Sequence, residues 1–193
     1  CVTEAFVAPN AFLSIDVLQN EAPDYHVNSW YIDQQQHSTV RVNTLCANGA
    51  LIRNGLNILV NGNNCHTDLY GLYVPTGSQH FDNHTLIDHL KPHCESNELY
   101  KGIMFDRSTG VFNGKVFVRP DSQKVNAFQQ NNNILMSEQA DVNSKPELEI
   151  YADDVKCTHG ATVGQLDSKQ LFYLRSRGIP MMAARKLLIQ AFT

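Results

Sequence analysis

Several things are scarce or missing in this 193-residue sequence. No stretch approaches the 18 or more consecutive apolar residues of a membrane-spanning helix, and nothing resembles a signal peptide, so a soluble, cytoplasmic protein is expected. Charged residues make up only 18% of the chain, below the usual quarter. The net charge of −4 lacks the basic excess with which a general nucleic-acid binder displaces counterions. Cysteine occurs five times, at 1, 46, 65, 94 and 157. An odd, widely spaced set without CxxC argues against a disulfide framework and predicts Cys46, Cys65 and Cys94 as small buried side chains. Nucleophile elbow, phosphate-binding glycine loop, HExxH and dinucleotide fingerprint are all absent. The chain begins at Cys1 and stops at Ala191-Phe192-Thr193 inside an amphipathic pattern, which reads as a piece of a longer subunit.

What fills the space left by charge is amide. There are 18 Asn and 12 Gln, and every Asn lies between Asn10 and Asn143. From Ala5 to about Val163, apolar residues come in short runs with period two, as in Phe12-Leu13-Ser14-Ile15, Thr39-Val40-Arg41-Val42, Leu56-Asn57-Ile58-Leu59-Val60, Val116-Phe117-Val118 and Leu148-Glu149-Ile150. These predict strands, and no long helical periodicity interrupts them, so the body is all-β. Four Asn-Gly pairs, at 48–49, 54–55, 61–62 and 113–114, suit the two-residue hairpins of an antiparallel sandwich. The short interval between Asn54-Gly55 and Asn61-Gly62 instead suits the corners of a solenoid, where Asn or Gly takes the left-handed conformation. Composition favours the solenoid without excluding the sandwich.

After Gly164 the pattern changes. Asp167 is a plausible N-cap, Leu171, Phe172, Leu174 and Arg175 follow at helical spacing, and Gly178 supplies a C-cap. Pro180 then sits in the first turn of a second helix over 181–192, with Leu187, Leu188 and Ala191 on one face. Two units are therefore expected, a β domain over 1–164 and the start of a helical domain over 165–193. Their charges differ as well. Residues 1–166 carry 10 Lys+Arg against 18 Asp+Glu, whereas 167–193 carry 5 against 1.

Of the eight histidines, His26, His37, His66, His80, His84, His89 and His93 lie in polar contexts without a partner at ligand spacing. His84-x4-His89-x3-His93 invites a zinc reading, but the segment contains Asp88 and Pro92 and the helical i, i+4 placement fails for the 84/89 pair, so the three read as turn histidines. The sharper constellation is Cys157 and His159 after Asp153-Asp154. On a strand, i and i+2 share a face, so a thiol and an imidazole could approach one metal with carboxylates nearby. On these residues alone, a buried Cys with a hydrogen-bonded His near a strand end is the favoured reading. Asp153, Asp154 and Lys156 are the only compact candidates for a β-helix carbohydrate lyase or hydrolase.

At this point the segments are specific enough to compare with a family. KPELEIYADDVKCTHGATVGQLD (Lys145 to Asp167) and LFYLRSRGI (Leu171 to Ile179) resemble SufD-type members of the SufB/SufD family, scaffold subunits of the SUF iron–sulfur cluster assembly machinery. IDHLKPHCESNELYKGIMF (Ile87 to Phe105), GVFNGKVFVRPDSQKVNAFQQNNNILMS (Gly110 to Ser137) and TEAFVAPNAFLSIDVLQNE (Thr3 to Glu21) agree. The likeness spans essentially the whole chain. Departures are mild: Thr158 where Ser is common, and Val125 and Phe128 where Thr and Tyr are common.

The resemblance implies a right-handed parallel β-helix with a short C-terminal helical hairpin. It implies a non-catalytic scaffold that pairs with SufB through the β-helix ends and carries a SufC ATPase on its C-terminal helices. A transient nascent cluster, or iron, would be shared with SufB. His159 is the ligand candidate from this side, Cys157 an accessory. In the helical hairpin Arg175, Arg177, Arg185 and Lys186 are candidates to face the ATPase, with Met181, Leu187 and Leu188 as apolar anchors. Exposed solenoid ends are unpaired strand edges, so a homodimer is expected for the chain alone. The alternatives are the carbohydrate lyase or hydrolase and a stand-alone Cys/His metal binder.

Overall fold

In the computed structural model, which describes residues 1–20, 22 and 24–193, the period-two segments are strands. Glu21, the last residue of the Thr3 block, lies outside the described residues, as does Pro23. The first six strands are β1 (Val2–Val7), β2 (Phe12–Asn20), β3 (Tyr25–Gln34), β4 (Thr39–Asn48), β5 (Leu51–Val60) and β6 (His66–Tyr73). The other six are β7 (His80–His89), β8 (Glu95–Met104), β9 (Thr109–Val118), β10 (Asn126–Leu135), β11 (Asp141–Ile150) and β12 (Lys156–Gly164). Odd strands lie side by side in one six-stranded sheet and even strands in a second. Every pairing is parallel. One odd and one even strand make a coil, and six coils stack into a parallel β-solenoid. A sandwich built on hairpins would need antiparallel neighbours, so the ambiguity in composition is resolved.

The coils turn at a repeated corner. Asn10, His37, Asn64, His93 and Lys124 all have positive φ, between 56° and 61°, at intervals of 27, 27, 29 and 31 residues. Each donates its backbone N–H to the coil above: Asn10 to Gln36, His37 to Asn63, Asn64 to Pro92, His93 to Gln123 and Lys124 to Asp154. The side chain that follows each corner enters the interior, and it is short: Ala11, Ser38, Cys65, Cys94 and Val125. Cys65 and Cys94 are thus small buried residues, as is Cys46.

The Asn-Gly pairs do not all turn corners. Asn54-Gly55 lies inside β5 and Asn113-Gly114 inside β9. Asn54 points inward, and its amide bonds Gln19 at 2.8 and 2.9 Å and Asn83 at 3.0 Å. An interior network, rather than a turn, selects this asparagine.

Glycine serves packing elsewhere. In successive coils Gly71 is registered with Tyr100, and Tyr73 with Gly102. A Cβ on Gly71 would lie 2.2 Å from the Tyr100 ring, and one on Gly102 would lie 2.5 Å from Tyr73. Each ring lies over the glycine of the adjoining coil. Tyr73, Phe81, Phe112, Ile58 and Leu69 fill the space between the sheets, all fully buried. Each such side chain contributes about 1.5–3 kcal/mol by leaving water.

Beyond β12, α1 (Ser168–Ser176) is capped by Asp167, which accepts from the Lys169 N–H at 2.8 Å. Gly178 (φ 83°) ends that turn, and α2 (Met181–Phe192) follows directly on Pro180. The helices pack on each other around Ala184. Lys101, on the outer face of the even sheet, donates to the Phe192 carbonyl at 2.6 Å, a cation at a helix C-terminus. None of the described helices is long and apolar enough to cross a membrane.

Candidate functional site at the last coil

Cys157 and His159 lie on β12, which pairs along one edge with β10. Because Ala127, Gln129, Asn131 and Asn133 all point inward from β10, their partners Cys157, His159, Ala161 and Val163 share the inward row. Among the described residues, no coil covers that row. Gln129 and Asn131 are fully buried, yet His159, Ala161 and Val163, one step further, are exposed. The thiol and imidazole therefore share a face, as alternation predicts.

Cys157 is half-buried against the core, and this burial pushes its thiol above the ordinary range despite an opposing backbone hydrogen bond at Ala127. A thiol held protonated is a weak metal ligand, so the imidazole is the better donor. Asp153 and Asp154 do not join them. Asp154 is ion-paired with Lys124 at the corner, and its N–H donates to Gln123 Oε1 at 2.9 Å. Among the described residues, no three of His, Cys, Asp and Glu converge as a metal site.

The other histidines have separate places. His84 sits against Asp82 at 2.8 Å, and His66 lies between Asp68 and Glu95 at 3.1 and 3.3 Å. His89 is buried with its ring 3.0 Å from Ser96 Oγ, and burial pushes it down to about 4. Of the three read as turn histidines only His93 occupies a left-handed corner, so that reading needs correction for His84 and His89, which lie in β7.

Beneath the open row is a polar layer that residue-by-residue reading missed. Gln129 Nε2 donates to Glu98 at 2.7 Å. Glu98 is completely buried, and desolvation pushes its carboxyl up to about 7, with Thr85 and Gln129 pulling weakly the other way. Alongside, Tyr73 donates to Asn133 Oδ1 at 2.5 Å, Asn133 to Asn131 at 2.6 Å, and Ser144 to Asn131 at 2.6 Å. The signal was the amide run QQNNN at 129–133, whose alternate members face inward.

One groove on the odd sheet has an apolar floor of Phe6, Tyr31, Ile32, Leu59 and Leu86, with Glu4, Asp33 and Asp88 also in its lining. Asp88 at its rim is held by Arg119 through two bonds of 3.0 and 2.8 Å. In the helical hairpin, Arg175, Arg177, Arg185 and Lys186 are exposed, as are Met181 and Leu187, while Leu188 is half-buried.

Family comparison agrees with this architecture. The model described as "SUF system FeS cluster assembly, SufBD core domain" matches residues 1–192. The chain belongs to the SufBD core family. It is 39% identical to the iron-sulfur cluster assembly protein SufD of Escherichia coli over 187 residues, 96% of this chain and 44% of that protein. An iron-sulfur cluster assembly SufBD family protein of Synechocystis is 38% identical over 99% of this chain and 42% of its own length. SufD of Bacillus subtilis is 36% identical over 68% of this chain and 30% of its own. The chain thus spans less than half the length of these relatives. Family and fold agree: the chain is a SufBD core built as a parallel β-solenoid, similar to the SufD proteins of Escherichia coli and Bacillus subtilis.

Proposed function

We propose that this chain is a non-catalytic, cytoplasmic scaffold subunit that pairs with SufB and presents His159 to a nascent iron–sulfur cluster, its cargo, at the shared interface. The observation that carries the reading is the uncovered inward row of β12. It ends the solenoid on an unpaired strand edge with one good ligand, where another chain can add strands and further donors. Iron in a cluster takes four ligands, so a single imidazole leaves the site incomplete. A site completed by two chains can also release what it builds when they part. Cys157 stands beside the imidazole as an accessory rather than a thiolate ligand.

The basic helical hairpin is the docking platform for the SufC ATPase in this reading, and ATP hydrolysis belongs to that partner. Arg175, Arg177, Arg185 and Lys186 supply charge, and Met181, Leu187 and Leu188 supply apolar anchors. Without SufB, the chain is expected to form a homodimer through the same edge, which light scattering reads directly.

The test is cluster maturation by a complex reconstituted with SufB and SufC under anaerobic conditions. His159→Ala is expected to abolish most maturation while leaving assembly of the three proteins intact. Unchanged maturation would remove His159 from the mechanism. For the platform, Arg185→Glu in the full-length protein should weaken capture of the ATPase; normal capture excludes that residue from the interface.

A further inference from the structure

The inward row that ends at His159 changes character along the solenoid. It runs Ile15, Val42, Leu69, Glu98, Gln129, His159, each registered with the next. Its first half is apolar, as a core row should be. Its second half buries a carboxyl and an amide, both with no measurable exposure, although an apolar side chain at either place would avoid the desolvation cost.

The geometry of the pair is specific. Glu98 accepts from Gln129 Nε2 at 2.7 Å, which fixes the orientation of the amide. The carbonyl end, Gln129 Oε1, is buried and has no hydrogen-bond partner. Space for the amide comes from the facing sheet, where Gly114 carries no side chain. A Cβ there would lie 2.6 Å from Gln129 Nε2 and 2.4 Å from Phe112. A buried acceptor left alone costs about 1–3 kcal/mol. The next side chain on its row is an imidazole, which has an N–H to give. Successive coils lie roughly 4.8 Å apart, within reach of a change in the His159 side-chain rotamer.

We infer that Gln129 is a positioning residue for His159. Its Oε1 accepts one imidazole N–H, and Glu98 holds the amide in the orientation that makes this possible. With one ring nitrogen committed inward, the lone pair of the other faces the open end. A ligating histidine ordinarily needs such a second partner to fix its tautomer and ring orientation. The inference rests on the reading of His159 as a ligand, but the hydrogen bond can be tested without any metal or partner.

The full chain labelled with 15N-histidine serves as the probe, and the His159 ring is assigned from the signal missing in His159→Ala. The wild type is expected to show, at pH 8 where Glu98 is a carboxylate that can only accept, a ring N–H that exchanges with water at least about tenfold more slowly than free imidazole, as a bonded proton does. Gln129→Leu should abolish that signal. Glu98→Gln should weaken it, because an amide at 98 can donate or accept and no longer fixes the orientation of Gln129. Where Gln129→Leu fails to fold, the double variant Glu98→Leu/Gln129→Leu removes both polar partners together and should lack the signal. An unprotected N–H in the wild type, or a protected one that survives either removal of Gln129, overturns the inference. In the reconstituted complex, Gln129→Leu is expected to lower cluster retention about 10–100-fold. If His159→Ala matures clusters normally while the wild-type His159 N–H is protected, the ligand reading fails and the positioning contact stands.

Discussion

The fourth coil and the sixth are built to the same plan and meet different fates. In the fourth, β8 turns Ser96, Glu98 and Tyr100 inward, and all are buried under the strands of the fifth. In the sixth, β12 turns Cys157, His159 and Ala161 inward at the same register, and only Cys157 is even half-buried. Facing inward is set by strand alternation, whereas being buried requires a next coil. The last coil therefore keeps interior geometry on an exposed surface, which is how a rigid scaffold can present a side chain at a defined position.

The contrast can be broken most forcefully by truncation of core side chains. Phe112→Ala in the covered region is expected to lower stability by about 3–5 kcal/mol, measured by denaturant unfolding. Val163→Ala, on the open row at 52% exposure, should cost less than about 1 kcal/mol. Added volume gives the next largest difference. Gly71→Ala, whose new Cβ meets Tyr100 at 2.2 Å, should cost about 1–3 kcal/mol. Gly164→Ala meets nothing within 4 Å and should stay within about 0.5 kcal/mol.

Titration sharpens the comparison further. Glu98 in the folded chain keeps its proton up to about pH 7, whereas an exposed glutamate loses it near 4.5. Between those values the folded state holds the extra proton, so this residue makes stability fall as pH rises through the window. Glu98→Gln should flatten that decline and have its largest relative benefit above pH 7. His89 acts in the opposite sense: held neutral down to about 4, it makes stability fall as pH drops below about 6.5. Unfolding curves collected from pH 4 to 8 separate the two. The smallest effect concerns thiols. In the native chain Cys1 should react with a disulfide reagent readily and Cys157 slowly, while Cys46, Cys65 and Cys94 should wait for unfolding.

Much of this was legible in the amino-acid sequence, and what escaped did so for a physical reason. Alternation identified strands, and the caps at Asp167 and Gly178 placed the first helix, because both signals are local. The pairing of Cys157 with His159 on one face was local too. What lies under His159 was not, since Gln129 is 30 residues away and Glu98 is 31 further back, and only the coil register joins them. The same limit explains Asn54-Gly55 and Asn113-Gly114. As dipeptides they are turn signals, but Asn54 answers to Gln19 and Asn83 in other coils, and Gly114 to Gln129 across the interior. The corner residues Asn10, His37, Asn64, His93 and Lys124 share a backbone conformation but alternate between Asn and His before ending in Lys, so their repeat has no single letter to find.

The glycine and tyrosine that alternate between coils carry a consequence for how the chain finds its fold. A stack of similar parallel strands offers many near-equivalent alignments, and sliding one strand by two residues keeps every side chain on its proper face. Such a slide between β6 and β8 sets Tyr73 against Tyr100 and Gly71 against Glu98 in one direction, and Gly71 against Gly102 with Tyr73 against Met104 in the other, so the first crowds two rings together and the second leaves a void between two glycines. Misaligned stacking is thus penalised at the moment two coils meet, before the rest of the solenoid is in place, so that each pair of neighbours proofreads its own alignment.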